Sequence, residues 1–273
     1  MDGSVELNAE DSGNRGTLPV AAFFDLDKTV ISKSSTLAFG LPFYKYGLIS
    51  RSNAMRSAVG QLVFTVAGAG PRQMERIREW AGSVCRGWPV DQVSEIVARH
   101  LDELILPIVY DEARSLIATH KAAGHDVVIV STSGREVVEP IARLLGVADV
   151  IATRMEVAGG RYTGQMEFWA YGTAKADRVR ALAAERGYRL AECYAYSDSA
   201  TDLPLLETIG HPYAVNPDRP LRTIAQQRGW PILEFGSLPG ARRDRRTTPG
   251  QGANRQQKGK QPGVPAGITN QSR

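Results

Sequence analysis

The chain has 273 residues, of which 42% are hydrophobic, and a formal net charge of +4 at pH 7. This length can bury one large core, or one core with a smaller inserted domain. Its two cysteines, Cys85 and Cys193, cannot form a disulfide framework, and no closely spaced Cys/His set indicates zinc. No apolar run approaches the roughly 20 residues of a membrane-spanning helix, and the acidic N-terminus is unlike a secretion signal. The sequence therefore predicts a protein of a reducing, cytoplasmic compartment.

The excess positive charge lies in the C-terminal segment. Residues 237–273 carry eight basic side chains against one acidic side chain and are rich in Gly, Pro, Gln and Asn. Such a composition predicts a disordered basic tail. A tail of this kind contacts acidic lipid or nucleic acid only weakly, so no specific nucleic-acid partner is expected. Residues 1–18 form an acidic, polar segment that is also predicted to be disordered, which leaves the function in residues 19–236.

The elements predicted along residues 19–236 alternate between strands and helices. A segment with a Gly-Gly pair, 155–164, is typical of a hairpin. Apolar runs predict strands at 21–24, 126–131, 150–152, 193–197, 213–215 and 232–234, and helical spacing predicts helices at 111–123, 136–145 and 173–186. This alternation predicts an α/β fold, a Rossmann-like doubly wound parallel sheet with helices on both faces.

One long segment, 32–110, interrupts the alternation after the first strand. It has no convincing strand pattern, whereas 73–84 and 90–105 have helical spacing, with Trp80 and Trp88 as expected packing anchors. We therefore predict a helical cap inserted between two parts of one core, and these parts are 19–31 and 111–236. The most apolar parts of the insert, 41–46 and 61–67, are expected to form its own core. Lining a pocket and touching a membrane surface are the alternatives for them.

Polar side chains follow several of the predicted strands. Two carboxylates one residue apart, Asp25 and Asp27, end the first strand, where burial and mutual repulsion are unfavourable unless a divalent cation or a buried lysine lies between them. Ligands of open α/β sheets bind outside the carboxyl ends of the strands. Each polar residue alone could be a turn or helix cap, but their joint occurrence indicates a site. The full set is Asp25, Asp27, Thr29, Ser131, Lys175, Asp198 and Asp202.

These motifs resemble a known family. The order D-x-D-x-T, a serine after an apolar strand, a lysine and then D-x-x-x-D resembles the haloacid dehalogenase superfamily of hydrolases. The long helical insert, the R-Y-T-G hairpin and the stretch S-D-S-A-T-D-L-P-L-L-E-T-I-G-H-P-Y-A-V-N-P-D-R-P-L-R resemble its subfamily IB, which is phosphoserine phosphatase-like. The resemblance covers 19–236. It implies a magnesium-dependent phosphomonoester hydrolase that works through an aspartyl phosphate.

The resemblance also implies catalytic roles. Asp25 would be the nucleophile, and Asp27 would be the general acid for the leaving oxygen and later the base for water. Lys175 would offset the carboxylate charge and stabilise the transferring group. The motif D-K-T also occurs at the phosphorylated aspartate of P-type pumps, but in those proteins Gly-Thr follows, whereas Val30-Ile31 follow here. Asp25 therefore keeps the role of nucleophile.

The same resemblance implies ligands for the metal and the phosphate. A Mg²⁺ ion would be bound by the nucleophile's carboxylate, the backbone carbonyl of the general acid and Asp198, since hard oxygen ligands suit this ion. Asp202 would support the metal's waters or orient the lysine. The phosphoryl oxygens would accept hydrogen bonds from Thr29, Ser131 and Thr132. Such chemistry depends mostly on positioning and electrostatics.

Three alternatives to a phosphatase stay open. A phosphoaspartate receiver domain uses similar residues at its strand ends, although such modules lack an insert of roughly 80 residues. A catalytically inactive binding module would be expected to have lost Asp25, Asp27 or Lys175. A phosphotransferase to an alcohol acceptor shares the first half-reaction. Rapid release of phosphate would separate a hydrolase from a receiver.

The sequence departs from phosphoserine phosphatases at the residues that recognise the substrate. Ser34, beside Lys33, stands where that family has a glutamate that binds the substrate ammonium. A hydroxyl cannot pair with an ammonium as a carboxylate does, and a nearby lysine repels one. Thr132-Ser133 replaces Gly-Gly, and Thr201 replaces an asparagine. We therefore expect a small phosphorylated substrate that need not be phosphoserine, with a lipid-like monoester such as a lysophosphatidate as a competitor.

Overall fold

The computed structural model describes residues 19–49 and 71–239, which form a mixed α/β fold around a seven-stranded sheet. Strand β4 runs antiparallel to β3, and the other neighbouring strands are parallel. The sheet order is β4-β3-β2-β1-β5-β6-β7. The strands are β1 Ala21–Asp25, β2 Asp126–Gly134, β3 Asp149–Ala158, β4 Arg161–Phe168, β5 Tyr194–Ser197, β6 His211–Val215 and β7 Ile232–Leu233. The predicted fold class is confirmed.

The direction of winding reverses beside the first strand. The chain builds β1 to β4 outward on one side, then returns to place β5, β6 and β7 on the other side of β1. In doubly wound sheets, the crevice at this reversal lies outside the carboxyl ends of the two flanking strands and binds ligands. Here the crevice lies where β1 ends at Asp25 and β5 ends at Ser197.

Helices cover both faces of the sheet. The described helices are α1 Ser35–Ala38, α2 Gly40–Lys45, α3 Pro71–Cys85, α4 Val90–Ile105, α5 Asp111–Ala122, α6 Arg135–Leu144, α7 Thr173–Arg186, α8 Leu203–Leu206 and α9 Arg219–Arg228. Residues of α4, α5 and α6 share one apolar core with alternate residues of β1, and residues of α7, α8 and α9 share the other. Ala22 and Phe24 belong to the first core, and Ala21 and Phe23 to the second. Burial on both faces explains why this strand is a continuous apolar run.

Helices α1 to α4 contain most of the described residues of the predicted insert. Helix α4 buries Val93, Ile96 and Val97, whose spacing places them on one face. Helix α3 packs closely on β4 at Gly82, where a Cβ atom would lie only 2.1 Å from the carbonyl oxygen of Gly164. Only glycine, which has no Cβ, permits the two backbones to come this close. The division of the chain into core and cap stays a prediction.

Two expectations about the insert are wrong. Trp80 does not anchor its packing, because the side chain is 38% exposed. The apolar run 41–46 is not uniformly core: Phe43 is buried against Trp88, with ring centroids 5.5 Å apart, but Leu41 is 60% exposed. A short amphipathic helix explains the difference, because only one side of it meets the core.

Strand β3 is longer than the predicted 150–152. Its second half pairs with β4, and the Gly159–Gly160 turn between them has φ angles of 56° and 74°, which glycine adopts without strain. The predictions for residues 1–18, 61–67 and most of 237–273 lie outside the described residues. Within the described ranges, no helix is long and apolar enough to cross a membrane.

Candidate active site

The first motif forms a tight turn at the carboxyl end of β1. Asp25 is the last residue of the strand and is 6% exposed, whereas Asp27 is half-buried. The backbone N–H groups of Val30 and Ile31 both donate to the carbonyl oxygen of Leu26, at 2.9 and 3.0 Å. This turn holds the two carboxylates at the crevice between β1 and β5, because the chain folds back directly after the strand.

Lys175 reaches the first carboxylate from helix α7. Its Nζ donates to Asp25 Oδ1 at 2.7 Å and to Asp202 Oδ2 at 2.9 Å, and all three side chains are almost fully buried. Ser197, the last residue of β5, donates its hydroxyl to the same Asp202 oxygen at 2.8 Å. The buried lysine is therefore the positive group beside Asp25. The contact between Asp202 and Lys175 supports one of the two roles expected for Asp202, orienting the lysine, and both roles stay predictions.

The electrostatics of this group reflect its burial. Burial raises the pKa of the Asp25 carboxyl well above its usual range, the positive charge of Lys175 opposes this, and the negative charges of Asp202 and Asp198 add to it. Burial alone would lower the pKa of Lys175, but Asp202 and Asp25 outweigh it and raise that pKa, so the ammonium stays protonated. The site therefore holds an excess of negative charge over the single buried lysine.

Asp198 lies on the loop after β5 and is held there by Asp218. The Asp218 backbone N–H donates to the Asp198 carbonyl oxygen at 2.7 Å, and its carboxylate accepts from the Ser199 hydroxyl at 3.0 Å. Burial raises the pKa of Asp198 to about 7, the charge of Lys28 opposes the rise, and those of Asp202 and Asp218 add to it. Asp218 thus fixes the loop that carries the predicted metal ligand.

The three predicted phosphate-binding hydroxyls differ in their partners. Thr29 is fully buried and its Oγ1 has no hydrogen-bond partner in the part of the chain described. A buried hydroxyl without a partner is unfavourable, and a bound phosphoryl oxygen would satisfy it. Ser131 Oγ accepts from the Ser133 backbone N–H at 3.1 Å. The Thr132 hydroxyl donates to the Ala170 carbonyl oxygen at 2.8 Å, so its role toward phosphate stays a prediction.

Asp27 is held at both oxygens. The backbone N–H of Ser35 donates to Oδ1 at 2.6 Å, and the hydroxyl of Ser133 donates to Oδ2 at 2.8 Å. The carboxylate is therefore fixed in direction although it is only half-buried. Ser34, expected at the substrate end, immediately precedes helix α1, and its side chain does not cap that helix.

The donor set fits the predicted Mg²⁺ ion. Among the described residues, no three His, Cys, Asp or Glu side chains are grouped as a metal-binding cluster. The predicted set needs only the carboxylates of Asp25 and Asp198 and the carbonyl of Asp27, and Mg²⁺ commonly keeps several waters beside one or two carboxylates. Burial is the main cause that raises the pKa values of Asp25 and Asp198, and a divalent cation between the two carboxylates would stabilise their ionised forms. The assignments of Asp27 and Asp202 as metal ligands stay predictions.

Sequence reasoning did not assign a role to three residues that shape the site. Ser197 bonds Asp202, and Asp218 holds the loop that carries Asp198. Ser133 bonds Asp27. Asp218 had a local signal, because an Asp followed two residues later by Pro is typical of a helix N-cap, and it accepts from the Leu221 N–H at 2.8 Å. The serines had no local signal for these contacts.

A family model described as haloacid dehalogenase-like hydrolase matches residues 22–207. The chain belongs to this family. The matched segment contains Asp25, Asp27, Lys175, Asp198 and Asp202. The predicted membership of the family and the predicted class of enzyme, a hydrolase, are confirmed.

Curated relatives cover most of the chain. It is 61% identical over 216 residues to the "Inhibition of morphological differentiation protein" of Streptomyces azureus, which covers 79% of this chain and 78% of that protein. It is 52% identical over 241 residues to a probable phosphatase of Mycobacterium tuberculosis, with 87% and 84% covered. A histidinol-phosphatase of Neisseria meningitidis is 30% identical over 223 residues, with 78% and 98% covered.

Solved structures share the fold. A Bordetella pertussis protein of unknown function is 29% identical with a TM-score of 0.70, covering 80% of this chain and 99% of that chain. A phospho-aspartyl intermediate analogue of phosphoserine phosphatase is 19% identical with a TM-score of 0.58, covering 79% and 93%. At that identity the likeness establishes a phosphoserine phosphatase-like fold, which agrees with the predicted one.

Proposed function

We propose that this hydrolase is a magnesium-dependent phosphatase of small phosphomonoesters, acting through an aspartyl phosphate on Asp25. The observation that carries the proposal is the buried lysine at the strand ends, with Lys175 Nζ 2.7 Å from Asp25 and 2.9 Å from Asp202. The names of the relatives, which include a probable phosphatase and a histidinol-phosphatase, support the same class.

The reaction has two half-reactions. An oxygen of the Asp25 carboxylate attacks phosphorus and forms the acyl phosphate bond, while the bond from phosphorus to the leaving oxygen breaks and Asp27 gives that oxygen its proton. Asp27, now ionised, then takes a proton from a water molecule. The water oxygen attacks the same phosphorus, the acyl phosphate bond breaks, and phosphate leaves with Asp25 restored.

The remaining residues hold the transferring group. An ammonium has three N–H donors, and two of those of Lys175 are directed to carboxylates, so the third is available for a phosphoryl oxygen. The buried Thr29 hydroxyl and the Ser131 hydroxyl are additional donors. When bound, a Mg²⁺ ion held by Asp198, Asp25 and the Asp27 carbonyl supplies positive charge against the phosphoryl oxygens.

For the substrate, we propose a phosphomonoester that carries no ammonium beside Ser34. Lys33 is exposed next to this position, and the exposed side chains of Leu37 and Leu41 follow it on α1 and α2. This surface favours an apolar leaving group, such as the acylglycerol of a lysophosphatidate, over the charged serine of phosphoserine. Transfer to an alcohol acceptor in place of water is the variant with the same first half-reaction.

Asp25→Asn tests the chemistry. Removing the nucleophile should lower phosphate release from a generic aryl phosphate by about three orders of magnitude or more, and chelation of Mg²⁺ should stop release by the wild type. Asp177→Asn is the matched control, because Asp177 is exposed on α7. Normal turnover by Asp25→Asn would refute the mechanism. A single phosphorylation of wild type without continuing release would indicate a receiver.

A panel of phosphate esters tests the substrate. Under one set of conditions, catalytic efficiency with the two ammonium-bearing esters, phosphoserine and histidinol phosphate, should not exceed that with a lysophosphatidate and simple alkyl phosphates. A preference for phosphoserine of roughly a hundredfold, about 2.7 kcal/mol in the transition state, would show that another residue of the cap binds the ammonium.

A further inference from the structure

The carboxylate of Asp27 has a second side chain bound to it that the proposed mechanism does not use. Ser133 Oγ donates to Asp27 Oδ2 at 2.8 Å and lies 2.9 Å from Ser35 Oγ, which donates to it. Thr36 Oγ1 is 3.2 Å from the same oxygen. A hydroxyl has one proton and two lone pairs. Ser133 therefore donates its only proton to Asp27 and accepts a hydrogen bond from Ser35, in the predicted cap.

Backbone irregularity directs Ser133 toward Asp27. Strand β2 shifts register between Ser131, which pairs with Ala152, and Gly134, which pairs with Thr153. Such bulges re-aim side chains near active sites. The Ser133 N–H is also tied to the Ser131 hydroxyl at 3.1 Å, so the same short segment contacts the predicted phosphate site and the predicted acid.

The other partner comes from the cap. Ser35 is the first residue of α1, fully buried, and it contributes its hydroxyl to Ser133 and its N–H to Asp27. Three of these bonds therefore close a ring that joins the core strand β2, the first motif and the first cap helix. An aspartate has two χ angles, and a ring of this kind restricts both of them.

We propose that the hydroxyls of Ser133 and Ser35 form a positioning pair that aims the Asp27 carboxylate at the leaving oxygen and later at the attacking water. This inference rests on the proposed function, in which Asp27 is the acid and base. Ser133 stands where phosphoserine phosphatases have glycine, a residue that offers no hydroxyl. The pair does not touch Asp25, so it serves the proton-transfer steps and not the nucleophilic attack itself.

The kinetics of Ser133→Ala separate these steps. With an aryl phosphate, whose leaving group needs little protonation, the pre-steady-state burst that reports phosphorylation of Asp25 should stay within about twofold of wild type. Steady-state turnover should fall about tenfold or more, because the water is poorly activated, and phosphorylated enzyme should accumulate. With an alkyl phosphate, kcat should fall by at least as much, while KM changes little. Ser133→Thr, which keeps the hydroxyl, should recover most of the activity.

Two further variants complete the test. Ser35→Ala keeps the backbone N–H that bonds Asp27, so it should lower steady-state turnover with little effect on the burst, but by less than Ser133→Ala does. In the double variant Ser35→Ala/Ser133→Ala, the loss of turnover should be smaller than the sum of the two single losses in free energy. Ser115→Ala on helix α5, whose hydroxyl only bonds the Asp111 carbonyl at 2.9 Å, should behave as wild type. The proposal is overturned if Ser133→Ala turns over alkyl phosphate at the wild-type rate, if burst and turnover fall together, or if Ser133→Thr is as impaired as Ser133→Ala. If Asp25→Asn is active, the proposed function fails first; if it is inactive while Ser133→Ala is normal, only the positioning pair fails.

Discussion

Two adjacent residues of strand β5 lie in two different buried polar clusters. One cluster holds charged side chains, and the other is uncharged. Ser197 belongs to the charged cluster of the active site, with Lys175 and Asp202. Tyr196 belongs to an uncharged cluster on the other face of the sheet, where its hydroxyl lies 2.8 Å from His120 Nε2. Strand alternation places the two side chains on opposite faces. A single strand therefore supports both a catalytic group and an aromatic core.

The uncharged cluster holds two histidines whose pKa values are lowered, so their protonation is disfavoured at neutral pH. His120 Nδ1 faces His125 Nδ1 at 2.9 Å, so the two nitrogens can share only one proton without repulsion. The rings of Phe24 and Tyr194 pack against His120, with centroids 5.8 and 4.8 Å away. Burial and the neighbouring His125 lower the pKa of His120 to about 3. This cluster stays neutral at neutral pH, whereas the cluster around Lys175 keeps its positive charge, because Asp202 and Asp25 raise the pKa of that lysine.

The largest effect is expected for Lys175→Met. This change leaves Asp25 and Asp202 buried without their cation, so it should abolish phosphatase activity and lower the free energy of unfolding by about 3 kcal/mol at pH 7. Urea denaturation and phosphate release measure the two effects. Lys121→Met removes an exposed lysine that bonds the Leu145 carbonyl at 3.3 Å, and should lose less than about 1 kcal/mol. Equal losses in the two variants would show that the charged cluster contributes no more than a surface contact.

The charged cluster was more predictable from sequence than the neutral one, for a physical reason. Asp25 ends a strand and Lys175 lies in the first turn of a helix, and both positions are recognisable from the sequence. Few other residue types supply a buried carboxylate or ammonium at such positions. The sequence predicts helix α7 with its observed bounds, Thr173–Arg186, because a glycine follows its last residue. In the structure, Gly187 adopts a left-handed φ of 74° at this end.

The remaining contacts depend on how distant segments meet. The sequence predicts Tyr196 and His120 only as parts of a strand and a helix, since nothing near either residue specifies its partner. Ser133 departs from the Gly-Gly of phosphoserine phosphatases, yet its bond to Asp27 depends on the bulge in β2 and on the first turn of helix α1. Exposure of Trp80 likewise follows from the direction in which α3 packs. Tertiary arrangement, and not local pattern, decides such contacts.

A second prediction concerns acid stability of the neutral cluster. The pKa of His120 is lowered by folding, so below the unfolded value of roughly 6.5 the unfolded chain takes up a proton that the native chain refuses. Stability is therefore retained above pH 6.5 and lost as the pH falls toward 3, and His120 accounts for about 2 kcal/mol of this loss between pH 6.5 and 5. His120→Gln stays neutral and should reduce this slope. Unfolding titrations at several pH values measure it.

The control for the histidine variant is His100→Gln on helix α4, which removes a histidine outside the cluster. Should His120→Gln and His100→Gln change the pH slope equally, the neutral cluster would not be a source of acid sensitivity. Activity at pH 7 should be unchanged in His120→Gln relative to wild type within about twofold, because His120 lies on the opposite face from Lys175 and Ser197.

A third prediction uses the two neighbours on β5 as a matched pair. Tyr196→Phe removes the hydroxyl bonded to His120 and should cost about 1 kcal/mol of stability, with activity within about twofold of wild type. Ser197→Ala removes a donor to Asp202 and should lower kcat about threefold to tenfold with a smaller loss of stability. Both are measured by denaturation and steady-state kinetics. The reverse pattern would contradict the division of labour between the two faces.

The smallest effect concerns helix α5 and the segment that binds its first turn. Helix α5 has His120 of the neutral cluster in its last turn, and its first turn contacts the end of the described chain. The Ser237 N–H donates to the Glu112 carboxylate at 2.9 Å. The Asp111 N–H donates to the Ser237 carbonyl oxygen at 2.9 Å. A chain that stops after Pro239 keeps these bonds and should match wild type in activity within about twofold and in stability within about 0.5 kcal/mol. A chain that stops after Phe235 loses them and should unfold about 1 kcal/mol more easily, since exposed hydrogen bonds each contribute little. Equal stability of the two truncated chains would show that α5 needs no anchor at its first turn, and a large loss in both would show that residues beyond 239 are part of the folded core.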